Sequence, residues 1–275
     1  MINSVCLCLT YKCNLLCRHC FASAGPNRTE EMSFNQIKTA IDNSYQNVNR
    51  MWFSGGEPTV IMDKLLFGLK YVKAKKDKFG TPNKICVQTN GYFAKTKEDA
   101  LKYLFEFYKN GANELDITSN DYFHFEQMDS DIPLQLARLA KSLGIFENII
   151  ISGSDYKAVK RFGRAKTIPV EELEQFDLKY TKKCVFTGTD YVIEPNGNVL
   201  PCIYGNKNVL GNIYQNTIEN IISEEINRNI MKTLENNGIN NILQKSELNN
   251  KLIDICESCN KLFSEYHSTI ELKQY

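Results

Sequence analysis

Residues 13–20 read Cys13-Asn14-Leu15-Leu16-Cys17-Arg18-His19-Cys20, so that three thiols fall within one short segment. Three thiolates this close together can bind three irons of a four-iron, four-sulfur cluster and leave the fourth iron open. A tetrahedral zinc site would still lack one ligand. The spacing alone leaves two other interpretations open, because the cysteines could be buried fillers or half of a metal site that is completed elsewhere. The segment therefore predicts an iron–sulfur loop, and the neighbouring sequence has to decide between this and the two other interpretations.

A glycine-rich turn follows the next apolar run. Met51-Trp52-Phe53 leads into Ser54-Gly55-Gly56-Glu57-Pro58-Thr59, and glycines permit close backbone approach to a ligand. The cysteine loop and this turn, in this order, resemble the signature of the radical S-adenosylmethionine (radical SAM) superfamily. The resemblance implies that the amino and carboxylate groups of SAM chelate the open iron of a [4Fe-4S] cluster. Reductive cleavage of SAM would then give a 5'-deoxyadenosyl radical that takes a hydrogen atom from the substrate.

The resemblance also implies which residues contact SAM. The glycine-rich turn would meet the ammonium group, the Gln-Thr-Asn-Gly sequence at 88–91 looks like the same family, and hydroxyls after the fourth strand would meet the ribose and carboxylate. The predicted SAM contacts are Phe21, Gly55, Gly56, Glu57, Pro58, Gln88, Asn90, Thr118 and Ser119. Thr118 and Ser119 could instead cap the following helix. His124 is either a general acid or base, or a structural residue at the start of that helix.

Short β-rich runs alternate with helical patterns through the first 150 residues. Ser33 and Gln36 have the spacing of a capping box, Thr96 with Asp99 begins another helix, and Gly80 is placed to end one. The predicted strands are Val5–Thr10, 51–54, 85–89, 115–118 and 149–151. This alternation predicts an α/β fold, a partial (β/α) barrel of the TIM type, whose active site lies at the carboxyl ends of the strands. A sixth strand cannot be located between Ser152 and Lys166, where Gly163-Arg164-Ala165 is a family-like element without an evident role.

The composition argues against several other classes of protein. The 275 residues carry 33 Lys and Arg against 32 Asp and Glu, so no strong field attracts nucleic acid or a membrane surface. The first residues lack the basic region of a signal peptide, and no apolar run is long enough to span a bilayer. With ten cysteines this predicts a cytoplasmic protein that keeps its thiols for metal.

A second group of cysteines follows a polar linker. Cys184 precedes a hairpin pattern with a Pro195-Asn196-Gly197 turn, Cys202 follows the hairpin, and Cys256 and Cys259 come later. The pattern resembles the twitch module, the shorter relative of the SPASM domain, which holds one auxiliary [4Fe-4S] cluster. A structural zinc is the alternative, since a Cys-x-x-Cys pair is common in zinc sites. The predicted division is a barrel at 1–165, a linker at 166–183 and a small α+β auxiliary domain at 184–275.

Three functions are compatible with these patterns. The first is the maturation of a ribosomally made peptide (a RiPP) by epimerisation or cross-linking, the second is a twitch-type dehydrogenase, and the third is a non-catalytic iron–sulfur or zinc protein. An electron carrier needs no SAM-binding turn, which disfavours the third. A dehydrogenase needs a base at the substrate, yet Ile203 follows the hairpin cysteine, where related sulfatase-maturing enzymes have aspartate. Asp190 and Glu194 are the nearest substitutes.

An epimerase must return a hydrogen atom to the substrate, normally from a thiol. Cys6, Cys8 and Cys86 are the thiols outside the two clusters, and each is either such a donor or a small apolar filler in a strand. The expected partners are a peptide substrate, an external electron donor of the flavodoxin or ferredoxin type, and a separate leader-recognition protein, because no leader-binding region precedes Val5. No nucleic-acid or membrane partner is expected.

Overall fold

One eight-stranded sheet organises the part of the chain that the structure describes. The computed structural model describes residues 2–152, 162–169, 172, 188–203, 208–224 and 227–228. The strand order is β5-β4-β3-β2-β1-β6-β7-β8, in which β1 to β6 run parallel and β7 and β8 are antiparallel to their neighbours. The strands are β1 (Ile2–Cys8), β2 (Val48–Ser54), β3 (Lys84–Thr89), β4 (Glu114–Ile117), β5 (Asn148–Ile151), β6 (Asp190–Ile193), β7 (Asn198–Leu200) and β8 (Gly211–Asn212). The predicted α/β class with an open partial barrel is confirmed.

Helices connect the successive parallel strands from β1 to β5, as in right-handed βαβ units. They are α1 (Phe34–Asp42), α2 (Met62–Phe79), α3 (Lys97–Lys109), α4 (Tyr122–Phe125) and α5 (Asp131–Leu143), and a further helix, α6 (Ile218–Ser223), follows β8. The predicted capping box is present, because Ser33 accepts from Gln36 N while the Gln36 side chain accepts from Ser33 N. Thr96 caps α3, and Gly80 ends α2 in the left-handed conformation. None of the helices in the described part of the chain is long and apolar enough to cross a bilayer.

The predicted hairpin is present as β6 and β7, with Gly197 at a positive φ in its turn. It does not stand apart from the barrel strands, because β6 pairs in parallel with β1 from Ser4–Asp190 to Leu7–Ile193. The position of the expected sixth barrel strand, at 153–161, lies outside the described residues. The division into a barrel and an auxiliary domain therefore remains a prediction, although the described hairpin and the barrel share one sheet.

The two faces of the sheet differ in chemistry. Alternate residues along a strand point to opposite faces. One face buries completely apolar side chains, among them Leu7, Phe53 and Val87, against the helices in the main core. The other face, the inside of the partial barrel, carries thiols and polar groups. Two rows of inward-facing residues run across its strands. The deeper row is Cys6, Trp52, Cys86 and Glu114, and the row nearer the carboxyl ends is Cys8, Ser54, Gln88 and Asp116.

The cap of α1 offers a test of this local structure. Replacing Ser33 with Ala should lower the free energy of unfolding by about 1 kcal/mol, because the first turn loses its side-chain acceptor. Chemical denaturation monitored by circular dichroism measures this difference. Ser130 is the matched control, since it precedes α5 without making a capping hydrogen bond. Equal destabilisation by S33A and S130A would contradict the assigned cap.

Candidate metal and cofactor site

The cysteine loop starts just after β1, at the carboxyl end of the sheet. Cys13 and Cys17 are buried, Cys20 is half-buried, and all three pack with Leu15 and Ala24 in one small cluster. The amide of Leu15 donates to Cys13 Sγ at 3.4 Å, and Cys20 N donates to Cys17 O at 3.2 Å. No disulfide joins any of the seven cysteines in the described residues. The loop thus gathers the three sulfurs that the spacing predicted would act together.

These thiols suit a metal cluster, because metal binding would itself drive the loss of the thiol protons. Burial raises the pKa of Cys13 and of Cys17 to about 12, so the protein does not ionise them by itself. Iron binding would release their protons. The N–H donors around Cys13 Sγ are of the kind that adjusts the potential of an iron–sulfur cluster. The donor set of three sulfurs with N–H groups at their side fits the [4Fe-4S] cluster implied by the sequence.

The glycine-rich turn lies against the chain that enters the cysteine loop. Gly56 N donates to Thr10 O at 2.6 Å, and Glu57 N donates to Lys12 O at 3.0 Å. A Cβ atom on Gly55 would lie 2.3 Å from Thr10 O, and one on Gly56 would lie 2.3 Å from Lys12 O. No larger residue fits at either position without moving the loop. The two glycines therefore set the distance between β2 and the predicted cluster.

The Glu57 carboxylate is completely buried and engaged within the protein. Its Oε1 accepts from Thr59 N, Thr59 Oγ1 and Thr89 Oγ1 at 2.6–3.1 Å, and its Oε2 accepts from Asn90 N at 2.7 Å. Burial raises the pKa of Glu57, whereas these hydrogen bonds oppose the rise. The side chain joins the glycine-rich turn to the end of β3. If this turn meets SAM as predicted, backbone groups are better placed for the contact than this carboxylate.

The end of β3 reaches the cysteine loop through Asn90. Its Nδ2 lies 3.0 Å from Asn14 Oδ1 and 3.9 Å from Cys13 Sγ. Gln88 is used differently, because its Oε1 accepts from Ser54 Oγ and its Nε2 donates to Asp116 Oδ2 at 2.9 Å. Ser152 completes this polar row by donating to the other Asp116 oxygen at 2.7 Å. Both functional atoms of Gln88 are thus bonded within the row, while Asn90 borders the predicted cluster.

The segment after β4 borders the cysteine loop. Ser119 Oγ donates to Asn90 O at 2.7 Å, and Thr118 Oγ1 lies 3.4 Å from Thr89 O. The alternative interpretation of these two as helix caps is wrong, because Asp121 caps α4 by accepting from His124 N. The N-cap role of Asp121 was not predicted from the sequence, although aspartate is one of the residues preferred at the N-cap position of a helix.

Asp121 also connects two histidines. His124 Nδ1 lies 2.9 Å from Asp121 Oδ2, and His19 Nε2 lies 3.7 Å from the same oxygen. Although burial opposes ionisation of Asp121, its hydrogen bond with His124 holds the pKa of this carboxyl below its usual value. Burial lowers the pKa of His19 to about 4. The cysteine-loop histidine is therefore neutral near pH 7, and His124 stands in a cap rather than at an open position.

Ligand atoms of Cys17, His19 and His124 lie within 4.8 Å of one another. These residues could in principle hold an ion, but Cys17 is already part of the predicted cluster. The remaining predicted SAM contacts in this region are Phe21, which is 38% exposed beside Cys20, and Pro58, which is buried at the start of the turn after Glu57. The structure thus brings the predicted contacts from four loops to one end of the sheet.

The three thiols outside the clusters all face the inside of the partial barrel. Cys6 and Cys8 are half-buried on β1, and Cys86 is fully buried on β3, where Arg50 Nη2 lies 3.4 Å from its sulfur. Asp190 accepts hydrogen bonds from Asn3 and Ser4, and Glu194 accepts one from the Tyr11 hydroxyl at 2.5 Å. Both acids are thus paired within the protein, and Ile203 is 41% exposed.

The structure describes one of the four predicted auxiliary ligands. Cys202 is half-buried just after β7. Cys184, Cys256 and Cys259 lie outside the described residues. Their grouping around a second cluster therefore remains a prediction.

Comparison with known proteins identifies two family matches. Residues 7–121 match the model of the radical SAM superfamily, and residues 184–260 match that of an iron–sulfur cluster-binding domain. "Putative peptide biosynthesis protein YydG" of Bacillus subtilis (strain 168) is 26% identical over 93% of this chain and 90% of its own. A GTP 3',8-cyclase of Clostridium botulinum (strain Okra / Type B1) is 29% identical over 52% of this chain, and the match spans 44% of the cyclase.

Solved structures share the fold at low sequence identity. BtrN in complex with AdoMet and 2-DOIA has a TM-score of 0.58 at 19% identity, over 90% of this chain and 91% of that one. Native anSMEcpe with bound AdoMet has a TM-score of 0.53 at 15% identity, over 98% of both chains. These structures confirm the predicted α/β architecture, and the two family matches confirm the predicted pair of cofactor-binding domain types.

The internal hydrogen bonds of Glu57 give a testable consequence. E57Q should lower the free energy of unfolding by about 2–3 kcal/mol, because an amide NH₂ would face N–H and O–H donors in a buried position. Urea denaturation of the cluster-free protein measures the change without any contribution from bound iron. The control is E30Q, at a site that is 50% exposed, where a loss below about 1 kcal/mol is expected. Equal losses in the two variants would show that the Glu57 contacts do not stabilise the fold.

Proposed function

Since the chain carries a radical SAM domain followed by an iron–sulfur cluster-binding domain, we propose that it is a radical SAM maturase of a ribosomally made peptide. The observation that carries the peptide assignment is the similarity to a putative peptide biosynthesis protein over nine-tenths of both chains. Cys13, Cys17 and Cys20 are proposed to hold the SAM-binding [4Fe-4S] cluster, and Cys184, Cys202, Cys256 and Cys259 the auxiliary one. When bound, the first cluster and SAM supply the radical that removes a hydrogen atom from the substrate.

The residues of this chain would act mainly by position. The two glycines and Glu57 fix the turn that is proposed to face the cofactor, and Asn90 contacts the loop around Cys13. The inside of the partial barrel offers a polar surface on which a peptide can be held. Its row of Ser54, Gln88 and Asp116 lies directly below the loops at the carboxyl ends of the strands, which is where substrates bind in folds of this kind.

Among the three inward thiols, Cys8 is the best placed hydrogen donor for an epimerase. It lies in register with Ser54, the last residue of β2, whereas Cys6 and Cys86 lie one inward-facing row deeper in the sheet. A hydrogen-atom donor must carry its S–H hydrogen, and the thiyl radical left after the transfer would regain an electron from the external donor and a proton from solvent. Contact with the Cys6 side chain, followed by burial, raises the pKa of Cys8, so the thiol is protonated at neutral pH. Cys86 is less accessible because it is fully buried beside Arg50.

A dehydrogenase is the second candidate. The dehydrogenase interpretation requires a free base beside the substrate, whereas the paired state of Asp190 and Glu194 favours a structural role for both. Glu194 is the one that could still serve, since it lies at the end of β6 next to the Tyr11 hydroxyl. The first function would require a peptide substrate, an external electron donor and a leader-recognition partner. Of these partners, the second function would require only the electron donor.

Deuterium labelling separates these reactions. The full chain, prepared without oxygen and reduced in heavy water, should be incubated with SAM and peptides encoded beside its gene, and the products analysed by mass spectrometry. Epimerisation introduces one deuterium per modified residue, whereas oxidation or cross-linking removes two hydrogens. We expect C8A to cleave SAM but to lose deuterium incorporation, and C6A and C86A to retain it.

Separate outcomes contradict the separate parts of this proposal. If the C17A protein still splits SAM under reduction, the assignment of the cysteine loop is wrong. If the wild-type product has lost two hydrogens, epimerisation is excluded. If deuterium incorporation survives in C8A and disappears in C6A or C86A, the donor is one of those two thiols instead.

A further inference from the structure

A short segment distant in sequence lies directly on the cysteine loop. It is Phe162–Ile168, which contains a 3-10 turn over Gly163–Thr167. Its arginine, Arg164, is 147 residues from Cys17, yet the two share a hydrogen bond. The sequence pattern had singled out Gly163-Arg164-Ala165 without giving it a role. The structure places these residues where they can act on the predicted SAM-binding cluster.

Arg164 binds three carbonyl groups of the loop. Its backbone N donates to Cys20 O at 3.0 Å, its Nε donates to Cys17 O at 3.0 Å, and one terminal nitrogen donates to Ala24 O at 2.5 Å. Two of these carbonyls belong to predicted iron ligands. Because a guanidinium presents its donors in a rigid plane, a single side chain can hold two separate points of the loop in a fixed relation.

Gly163 allows this segment to approach so closely. Its φ of +53° is in the left-handed region, and a Cβ atom on it would lie 2.2 Å from Phe21 O and 2.6 Å from Cys20 O. On the other side Ala165 is fully buried against Phe123 and Ile168. The segment is therefore fixed between the cysteine loop and α4, so Arg164 cannot easily swing away from the loop.

The charge of Arg164 distinguishes it from the other arginines near the loop. Arg18 pairs with Glu126 and Glu172, and Arg28 pairs with Glu30. In the part of the chain that the structure describes, the hydrogen-bond acceptors of the Arg164 side chain are neutral carbonyls, and no carboxylate lies within ion-pair distance of it. Its guanidinium nitrogen Nε lies 3.0 Å from the carbonyl oxygen of Cys17, so its positive charge is next to a proposed iron ligand. A fixed cation beside a cluster favours the reduced, more negative state.

We propose that Arg164 is a positioning residue that clamps the cysteine loop through three carbonyls and raises the reduction potential of the cluster bound there. The proposal rests on the assignment of Cys13, Cys17 and Cys20 made above. It divides into two effects that substitutions can separate. The hydrogen bonds hold the loop closed around the cluster, and the positive charge makes the cluster easier to reduce.

The test uses the full chain with its clusters reconstituted without oxygen. R164Q removes the charge and R164K keeps it while losing the planar set of donors. A redox titration followed by electron paramagnetic resonance should monitor the signal that changes on adding SAM, because that change identifies the SAM-binding cluster. We expect a lower midpoint potential in R164Q and a smaller shift in R164K. Both variants should lose iron to a chelator faster than the wild-type protein.

R18Q is the matched control, because it removes the same charge from the same loop at a side chain that is 39% exposed, where water and salt screen the charge. We expect its midpoint potential and its rate of iron loss to match the wild type. The inference is overturned if R164Q shifts the potential no further than R18Q, if R164K shifts it as far as R164Q, or if neither Arg164 variant loses iron faster. If circular dichroism shows that R164Q does not fold, the rate of iron loss from R164K still tests the clamp. G163A, which keeps the arginine but displaces the segment, should also lose iron faster than the wild-type protein.

Failure of this inference can be distinguished from failure of the proposed cysteine assignment. If the wild-type protein gives no SAM-responsive signal, or if C17A retains that signal, the assignment itself is wrong. If the wild-type signal responds to SAM and C17A abolishes it, while the Arg164 variants behave like R18Q, only the role of Arg164 is refuted.

Discussion

The fixed relation between three loops depends on one buried carboxylate. Glu57 accepts hydrogen bonds from its own turn through Thr59 and from the end of β3 through Thr89 and Asn90. Its backbone N is bonded to Lys12, one residue before the first cysteine of the loop. A buried charge without partners would cost several kcal/mol, so these donors are required as much as the carboxylate is. Because the carboxylate bonds its own turn and the end of β3 while the backbone N bonds the chain that enters the cysteine loop, Glu57 joins these three segments.

The sheet separates structural stability from chemistry. Its apolar face, with residues such as Leu7 and Phe53, is buried under the helices and supplies the core. Its other face is free to carry polar groups and thiols, since the open barrel does not need them for packing. The period of two along a strand therefore assigns each residue to one task or the other. Cys8 and Leu7 are neighbours in sequence, yet one faces the inside of the barrel and the other the core.

The loops at the carboxyl ends of the strands are held from two directions. From below, Glu57 and Asn90 tie the cysteine loop to β2 and β3. From the side, Arg164 binds carbonyls of the same loop, while Asp121 contacts His19 within it. A loop with three sulfurs and few internal hydrogen bonds would otherwise have many conformations. Such restraint from distant segments is what preorganises a site for a ligand that it must hold in one geometry.

The sequence by itself determined the first five strands and the helices between them, the later hairpin, the Ser33 and Thr96 caps and the two cofactor-binding domain types. These depend on local patterns, such as hydrophobic periodicity, cap residues and cysteine spacing, which a few neighbouring residues specify. Only the tertiary structure decided that Glu57 is bonded internally, that Asp121 rather than Thr118 or Ser119 caps α4, that β6 joins the sheet beside β1, and that Arg164 reaches Cys17. Each of these rests on contacts between residues far apart in the chain or on competition between several neighbouring polar groups. A pattern along the sequence does not contain the distances that decide such contacts.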